Sequence, residues 1–246
     1  MVAAADPIPV FVTRPEHQAA GLIAAVAARG FQPVGAPCLR LAIEKGPPLT
    51  LTDVGGFAVT SANGVLALAA RTPERALPLF AVGEATAAAA RENGFIHIEV
   101  AEGDGAALAK LIGARVAPRS RSILHAAGAE TAFDLVAGLA RVGVRAESQK
   151  LYGMPVVRDL PKAAHDVLDT RRASFVLLMS PRTAQAFADI VAASGRGDTL
   201  GAVTALCMSA AIGAAARAHA FGKVAVSTRM TQDSLLDLLE AESARV

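Results

Sequence analysis

Tryptophan is absent from this 246-residue chain, tyrosine occurs once, and aromatic residues make up only 4%. A core must therefore be assembled from Ala, Val, Leu and Ile, and the 53% hydrophobic content is enough for one large domain or two small ones. Cysteine is almost as scarce. Cys38 and Cys207 lie far apart inside apolar segments, with no second Cys or His at metal-ligand spacing. That excludes a disulfide scaffold and a cysteine-built metal site, and fits two small buried residues in a reducing compartment. Runs of one charge are missing as well: 24 basic and 22 acidic residues are scattered along the chain, for a net charge of +2 and a pI near 8.7. A nucleic-acid partner is not expected from such a pattern. The N-terminal "MVAAADPIPVFV" has no charged region followed by a sustained apolar core, and no stretch approaches about 20 strongly apolar residues. The expectation is a soluble, cytoplasmic protein without a membrane partner.

Catalytic signatures are equally sparse. No GxxxxGK[ST] is present, no GxGxxG follows a strand, and "GDGAAL" at 103 to 108 lacks the third glycine. HExxH, CxxC and GxSxG do not occur, and the five histidines are scattered, which argues against metal and nucleophilic hydrolase chemistry. His125, at the end of an apolar run, reads either as a satisfied buried histidine or as a ligand contact. Tyr152, the one tyrosine, reads either as a half-buried strand residue or as a proton donor.

What the chain does have is alternation. Short β-branched runs such as "IPVFVT" (8 to 13), "FAVT" (57 to 60), "LPLFAV" (77 to 82) and "IHIEV" (96 to 100) precede Ala-rich helical stretches. Those stretches are 16 to 30, 64 to 71, 84 to 93 and 106 to 116, several of them closed by glycine. This is the pattern of an α/β protein with parallel sheets flanked by helices. The order then repeats, from "SRSILHAAG" (120 to 128) and a helix over 130 to 143 to "ASFVLLM", "VTALCM", "KVAVS" and their helices, at offsets of about 113 to 126 residues. A duplicated unit predicts two similar lobes with a cleft between them.

Small and hydroxyl residues fill the corners where strands run into helices: "TRPEH" (13 to 17), "TSANG" (60 to 64), "VGEAT" (82 to 86), "AAGAET" (126 to 131), "MSPRT" (179 to 183) and "CMSAA" (207 to 211). Ser61 and Ser180 stand where helix N-caps are needed, with Pro181 at the first helical position. The same corners lie at the carboxyl edge of a parallel sheet, where unpaired N–H groups and helix dipoles suit a ligand rich in carboxylates or phosphates.

In their order and spacing, "VTRPE", "FAVTSANGV", "AVGEATAAAARENGF", "LYGMPVV", "VLLMSPRTAQAF" and the final "LLDLL" resemble the uroporphyrinogen-III synthase family, over nearly the whole chain from Val10 to Leu239. The resemblance implies a monomeric, cofactor-free lyase of porphyrin and heme biosynthesis. It would cyclise hydroxymethylbilane to uroporphyrinogen III, with loss of water and inversion of the D ring. It also implies two α/β lobes, residues 1 to 37 plus 158 to 246 and residues 44 to 148, joined by extended linkers at 38 to 43 and 149 to 157. The first strand-helix pair of each half would pack in the other lobe. Tyr152 matches the family's linker tyrosine and is implied as general acid, since a phenol with an ordinary pKa of about 10 holds a proton at neutral pH. Arg14, Ser61, Asn63, Gly83, Thr86, Gly128, Ser180 and Ser209 are the residues implied to meet the substrate's carboxylates. Two stretches depart from the pattern: Ser209-Ala-Ala-Ile212 where Gly-x-x-Thr is often found, and "HAAG" (125 to 128) where Arg-Gly is common. The readings from other classes are a two-lobed protein that binds an acidic small molecule without transforming it, and a nucleotide-using α/β enzyme, which the missing phosphate loops disfavour.

Overall fold

The computed structural model describes residues 6–117, 120–130 and 133–245. Its elements follow in chain order as β1 (Pro9–Val12), α1 (Glu16–Ala27), β2 (Gln32–Gly35), β3 (Ala42–Ile43), β4 (Val54–Val59), α2 (Ala62–Arg71), β5 (Leu79–Val82), α3 (Gly83–Glu92), β6 (Ile98–Ala101) and α4 (Gly105–Arg115). The second half continues with β7 (Ser122–Gly128), α5 (Leu135–Arg141), β8 (Ala146–Gly153), α6 (Lys162–Asp169), β9 (Ser174–Leu178), α7 (Pro181–Ala193), a 3-10 helix (Gly197–Ala202), β10 (Val203–Cys207), α8 (Ala210–Ala216), β11 (Lys223–Val226) and α9 (Gln232–Ser243). The chain separates into two compact units, Met1–Arg40 with Pro155–Val246 (unit 1) and Leu41–Met154 (unit 2).

In unit 1 the strand order is β11-β10-β9-β1-β2, parallel throughout. In unit 2 it is β3-β8-β7-β4-β5-β6, parallel except for the short antiparallel pair of β3 with β8. The two orders are the same arrangement with an exchange. The first two strands of each half of the sequence (β1 and β2, β7 and β8) join the last three strands contributed by the other half (β9 to β11, β4 to β6). Within each sheet the chain order reverses direction once, between β1 and β9 in unit 1 and between β7 and β4 in unit 2. Helices leave the two strands at that point for opposite faces, which opens a crevice at their carboxyl ends.

Strand residues alternate between the two faces. In β4, Phe57 and Val59 pack with α2 and α3 (Val65, Leu68, Ala87, Ala90), while Ala58 faces the layer of α4 and α5 (Leu108, Ile112, Leu135, Leu139). In unit 1, Phe11, Val176 and Leu178 pack against Phe187 and Val191 of α7, whereas Val10, Val12, Phe175 and Leu177 meet Leu22 of α1 and Leu235 and Leu239 of α9. The two cysteines are buried, and burial pushes their thiols up, Cys38 to about 12 and Cys207 to about 11. Both are inert packing residues.

Two sequence expectations are corrected here, and one element is added. Helix α2 begins at Ala62 rather than 64, because Ser61 caps it through the Gly64 N–H. The helix expected over 130 to 143 is confined to Leu135–Arg141, since the Asp134 carboxylate accepts the Ala137 N–H and fixes the start there; residues 131 and 132 of the expected helix lie outside the described residues. Helix α6 went unread, although Ala164, Val167 and Leu168 recur at helical spacing behind Pro161. Among the described residues no helix is long and apolar enough to cross a membrane.

Phe187 is fully buried, with its ring 5.5 Å from that of Phe11 and 6.3 Å from that of Phe221. Phe187→Ala is expected to cost about 3 to 5 kcal/mol, read as a lower urea midpoint for the unit 1 transition; a loss below about 1 kcal/mol would contradict this packing.

Candidate active site

The switch point of unit 2 is where its chemistry collects. Strand β4 ends at Val59 and β7 at Gly128; Thr60 and the N-cap Ser61 follow β4, and Tyr152 arrives on β8 opposite Gly128. A register shift between Ala127 and Gly128 sets this pairing: Ala127 faces Lys150 and Gly128 faces Tyr152, so Leu151 is the extra residue and the phenol turns to the α2 face. Tyr152 is 9% exposed. Its Oη lies 2.8 Å from Ser61 Oγ, and Ser61 Oγ accepts the Gly64 N–H at 3.2 Å.

Gly128 makes room for the ring, and Gly64 makes room for the carbonyl of Ala126 beneath it. A Cβ at Gly128 would fall 2.9 Å from Tyr152 Cζ and 3.0 Å from Oη. At Gly64 a Cβ would meet the Ala126 carbonyl at 3.0 Å and the ring Cε1 at 3.8 Å. Neither glycine has a positive φ, so close approach, not backbone freedom, is what requires them. Asn63, in the first turn of α2, donates through Nδ2 to Met154 Sδ at 3.4 Å. The structure therefore brings Ser61, Asn63, Gly128 and Tyr152 together.

The other residues singled out in the sequence stand elsewhere. Gly83 opens α3 with φ 71°, and Thr86 is buried in the first turn of that helix. Arg14 follows β1 in unit 1, beside Thr13, whose Oγ1 donates to the Leu177 carbonyl at 2.7 Å. Ser180 Oγ accepts the Thr183 N–H at 3.1 Å and lies 2.7 Å from Thr183 Oγ1. Ser209 Oγ accepts the Ile212 N–H at 3.4 Å, and the Ile212 side chain is buried. Ser61, Ser180 and Ser209 are thus all N-caps, each worth about 1 kcal/mol. A further hydroxyl cluster escaped the sequence reading. After β11, Ser227 Oγ donates to Ser234 Oγ at 2.7 Å and Thr231 caps α9, a corner signalled by "STRMTQDS" (227 to 234).

His125 is buried at 2% exposure, its Nδ1 3.2 Å from Ser148 Oγ and its Nε2 without a hydrogen-bond partner among the described residues. Its neighbours Leu124 and Ala126 belong to the α2 face, so strand alternation turns His125 to the opposite face from the phenol. Burial pulls its pKa below 6.5, partly opposed by the Asp134 carboxylate. A cavity of about 670 Å³ lies at the amino ends of β4 and β7, lined by Asp53, Val54, Arg71, Ser122 and Ser148 among others. It sits off the carboxyl edge, and the Arg71 guanidinium there is already engaged by the Glu44 and Pro47 carbonyls at 2.9 and 2.8 Å. Among the described residues no group of three or more His, Cys, Asp or Glu side chains is placed to hold a metal ion.

A pair of doubly wound parallel α/β units, one of them holding the chain's single phenol at its switch point, defines a class of two-unit α/β proteins with ligand-type crevices at the sheets' carboxyl edges. The family model described as Uroporphyrinogen-III synthase HemD matches residues 20–237. The chain belongs to the uroporphyrinogen-III synthase family, which implies a tetrapyrrole substrate. Among solved structures it is similar to the uroporphyrinogen-III synthetase of Helicobacter pylori 26695, with 13% identity over 96% of this chain and 99% of that one and a TM-score of 0.64. It is also similar to a mutant uroporphyrinogen III synthase from the extremely thermophilic bacterium Thermus thermophilus, with 18% identity over 97% and 100% of the two chains and a TM-score of 0.49. No curated protein sequence matches.

Because the folded His125 ring takes up a proton less readily than the unfolded one, stability is full above about pH 7 and falls as the pH drops through 6.5 toward the lowered folded value. Urea midpoints between pH 7 and 5 are expected to decline less for His125→Gln than for the parent; equal slopes would show that another group carries the effect.

Proposed function

We propose that the protein is a lyase that closes hydroxymethylbilane to uroporphyrinogen III, with Tyr152 as the proton donor to the departing hydroxyl. The observation that carries this reading is the 2.8 Å contact between Tyr152 and Ser61 at the unit 2 switch point, in a chain that belongs to this family. The electron bookkeeping is direct. The ring A pyrrole nitrogen pushes its lone pair toward the hydroxymethyl carbon, the C–O bond breaks, and the oxygen takes the Tyr152 proton and leaves as water. The azafulvene that remains is attacked by the substituted carbon of ring D. The spiro intermediate fragments and recloses at the free carbon, whose proton offsets the one the phenol gave up.

Acid assistance of this kind contributes roughly 10²- to 10⁴-fold. Orientation supplies more, up to about 7 to 11 kcal/mol, because the same substrate closes without inversion when nothing holds it. The substrate's carboxylates suit the carboxyl edges of the sheets: Asn63, Gly83, Thr86 and the Gly128 backbone are candidates in unit 2, with Arg14, Ser180 and Ser209 candidates in unit 1. Binding of an acidic ligand without catalysis is the less favoured reading, since nothing in it calls for a lone phenol fitted against Gly128 and held by Ser61.

The test is to add the protein to freshly made hydroxymethylbilane and separate the porphyrin isomers after oxidation. Type III product is expected; type I alone would reject the proposal. Tyr152→Phe is expected to lower kcat by roughly a hundredfold with the fold intact, and unchanged turnover would remove the phenol from the mechanism. Gly128→Ala should act in the same direction, because its Cβ would overlap Cζ and Oη and push the ring off Ser61.

A further inference from the structure

The hydrogen count at Ser61 constrains what this serine can do. A serine hydroxyl has one hydrogen to donate and two lone pairs to accept with. One lone pair of Ser61 Oγ is taken by the Gly64 N–H at 3.2 Å, which leaves the hydroxyl hydrogen and the second lone pair for the 2.8 Å contact with Tyr152 Oη and for any ligand. Either atom can be the donor in that contact. The two directions have different consequences. If the phenol donates to Ser61, its proton points back into the protein and is not aimed at a leaving group. If Ser61 donates, the phenol proton is free to point outward.

We infer that Ser61 donates its hydroxyl hydrogen to Tyr152 Oη and is a positioning residue for the phenol, not a ligand for a substrate carboxylate; this rests on the synthase reading above. The chain of donors then runs in one direction, from the Gly64 N–H to Ser61 Oγ, from the Ser61 hydroxyl to Tyr152 Oη, and from the phenol outward to the departing oxygen. A carboxylate offers only acceptors, so a serine whose single hydrogen is committed to Oη has none left for it. As the phenol gives up its proton, Oη gains negative charge and the bond from Ser61 becomes charge-assisted and shorter. Behind Ser61 stands the N-terminus of α2, a ten-residue helix with no acidic residue in its first turn, whose dipole favours that charge. Gly128 leaves the ring the position this chain of donors needs, since a methyl group there would come within 3.0 Å of Oη.

Tyr152 is the only tyrosine in the chain, so labelling with tyrosine enriched in carbon-13 at Cζ gives one resonance that reports the hydrogen bond at Oη. The full-length parent is compared with Ser61→Ala, Ser61→Thr and Ser61→Gly, glycine serving because it caps helices better than alanine and so separates the lost hydroxyl from a lost cap. In both Ser61→Ala and Ser61→Gly the resonance is expected to move and kcat for type III product to fall roughly ten- to a hundredfold with KM within about twofold, and Ser61→Thr is expected to restore both. A large rise in KM with kcat retained would make Ser61 a carboxylate ligand and overturn the inference. An unmoved resonance in Ser61→Gly would overturn it whatever the activity. If the parent makes no type III product while its resonance still answers to Ser61, the synthase reading fails and with it the catalytic meaning of the contact, but the contact itself stands.

Discussion

A buried phenol can serve as an acid only if its ring is held still and its oxygen is not tied up on the wrong side. For the role proposed for Tyr152, one contact governs both conditions, that between Tyr152 Oη and Ser61 Oγ. The contact is worth only about 1 kcal/mol as a net contribution to stability. Its importance is geometric: Ser61 is itself pinned as the cap of α2, so the phenol is referenced to a helix terminus and through it to the sheet. Gly128 lets the ring approach β7 to a distance that a side chain there would disrupt, and Gly64 brings α2 close to the Ala126 carbonyl.

The fold explains why these groups meet. Ser61 and Tyr152 are 91 residues apart, yet each stands beside the same crevice, because β7 and β4 are neighbours whose following helices leave for opposite faces. That neighbour relation exists only because each half of the sequence gives its first two strands to the sheet of the other half. A simple side-by-side duplication would keep β4 beside strands of its own half and leave the serine and the tyrosine on different sheets. The exchange is thus a precondition of the site in unit 2, and the equivalent switch point in unit 1 carries Thr13, Arg14 and Ser180.

Much of this was legible in the sequence. The period-2 runs and Ala-rich stretches give the α/β class and the duplication, and the serine corners announce two N-caps, Ser61 and Ser180, with Ser209 a third that the structure adds. Helix α6 was missed because only Ala164 and Leu168 are fully buried on a short element that begins after a proline-rich extended run. At the site, Tyr152 stood out by being alone and by matching the family's pattern. What Ser61 does could not be read, because its partner depends on strand order and on a one-residue register shift in β8, neither of which leaves a local pattern. Gly128 was read as an amide donor, while the close approach of the phenol that its missing side chain permits depends on a residue 24 positions away.

The most direct test is a crystal structure of the protein with its cyclic product bound. The carbon that bridges rings A and D is the one that lost its oxygen, and the account predicts that it lies against Tyr152 Oη, within about 4 Å, with Ser61 still in hydrogen-bond contact behind the phenol. A tetrapyrrole bound with that bridge remote from Tyr152, and the phenol still closed off against α2, would contradict it.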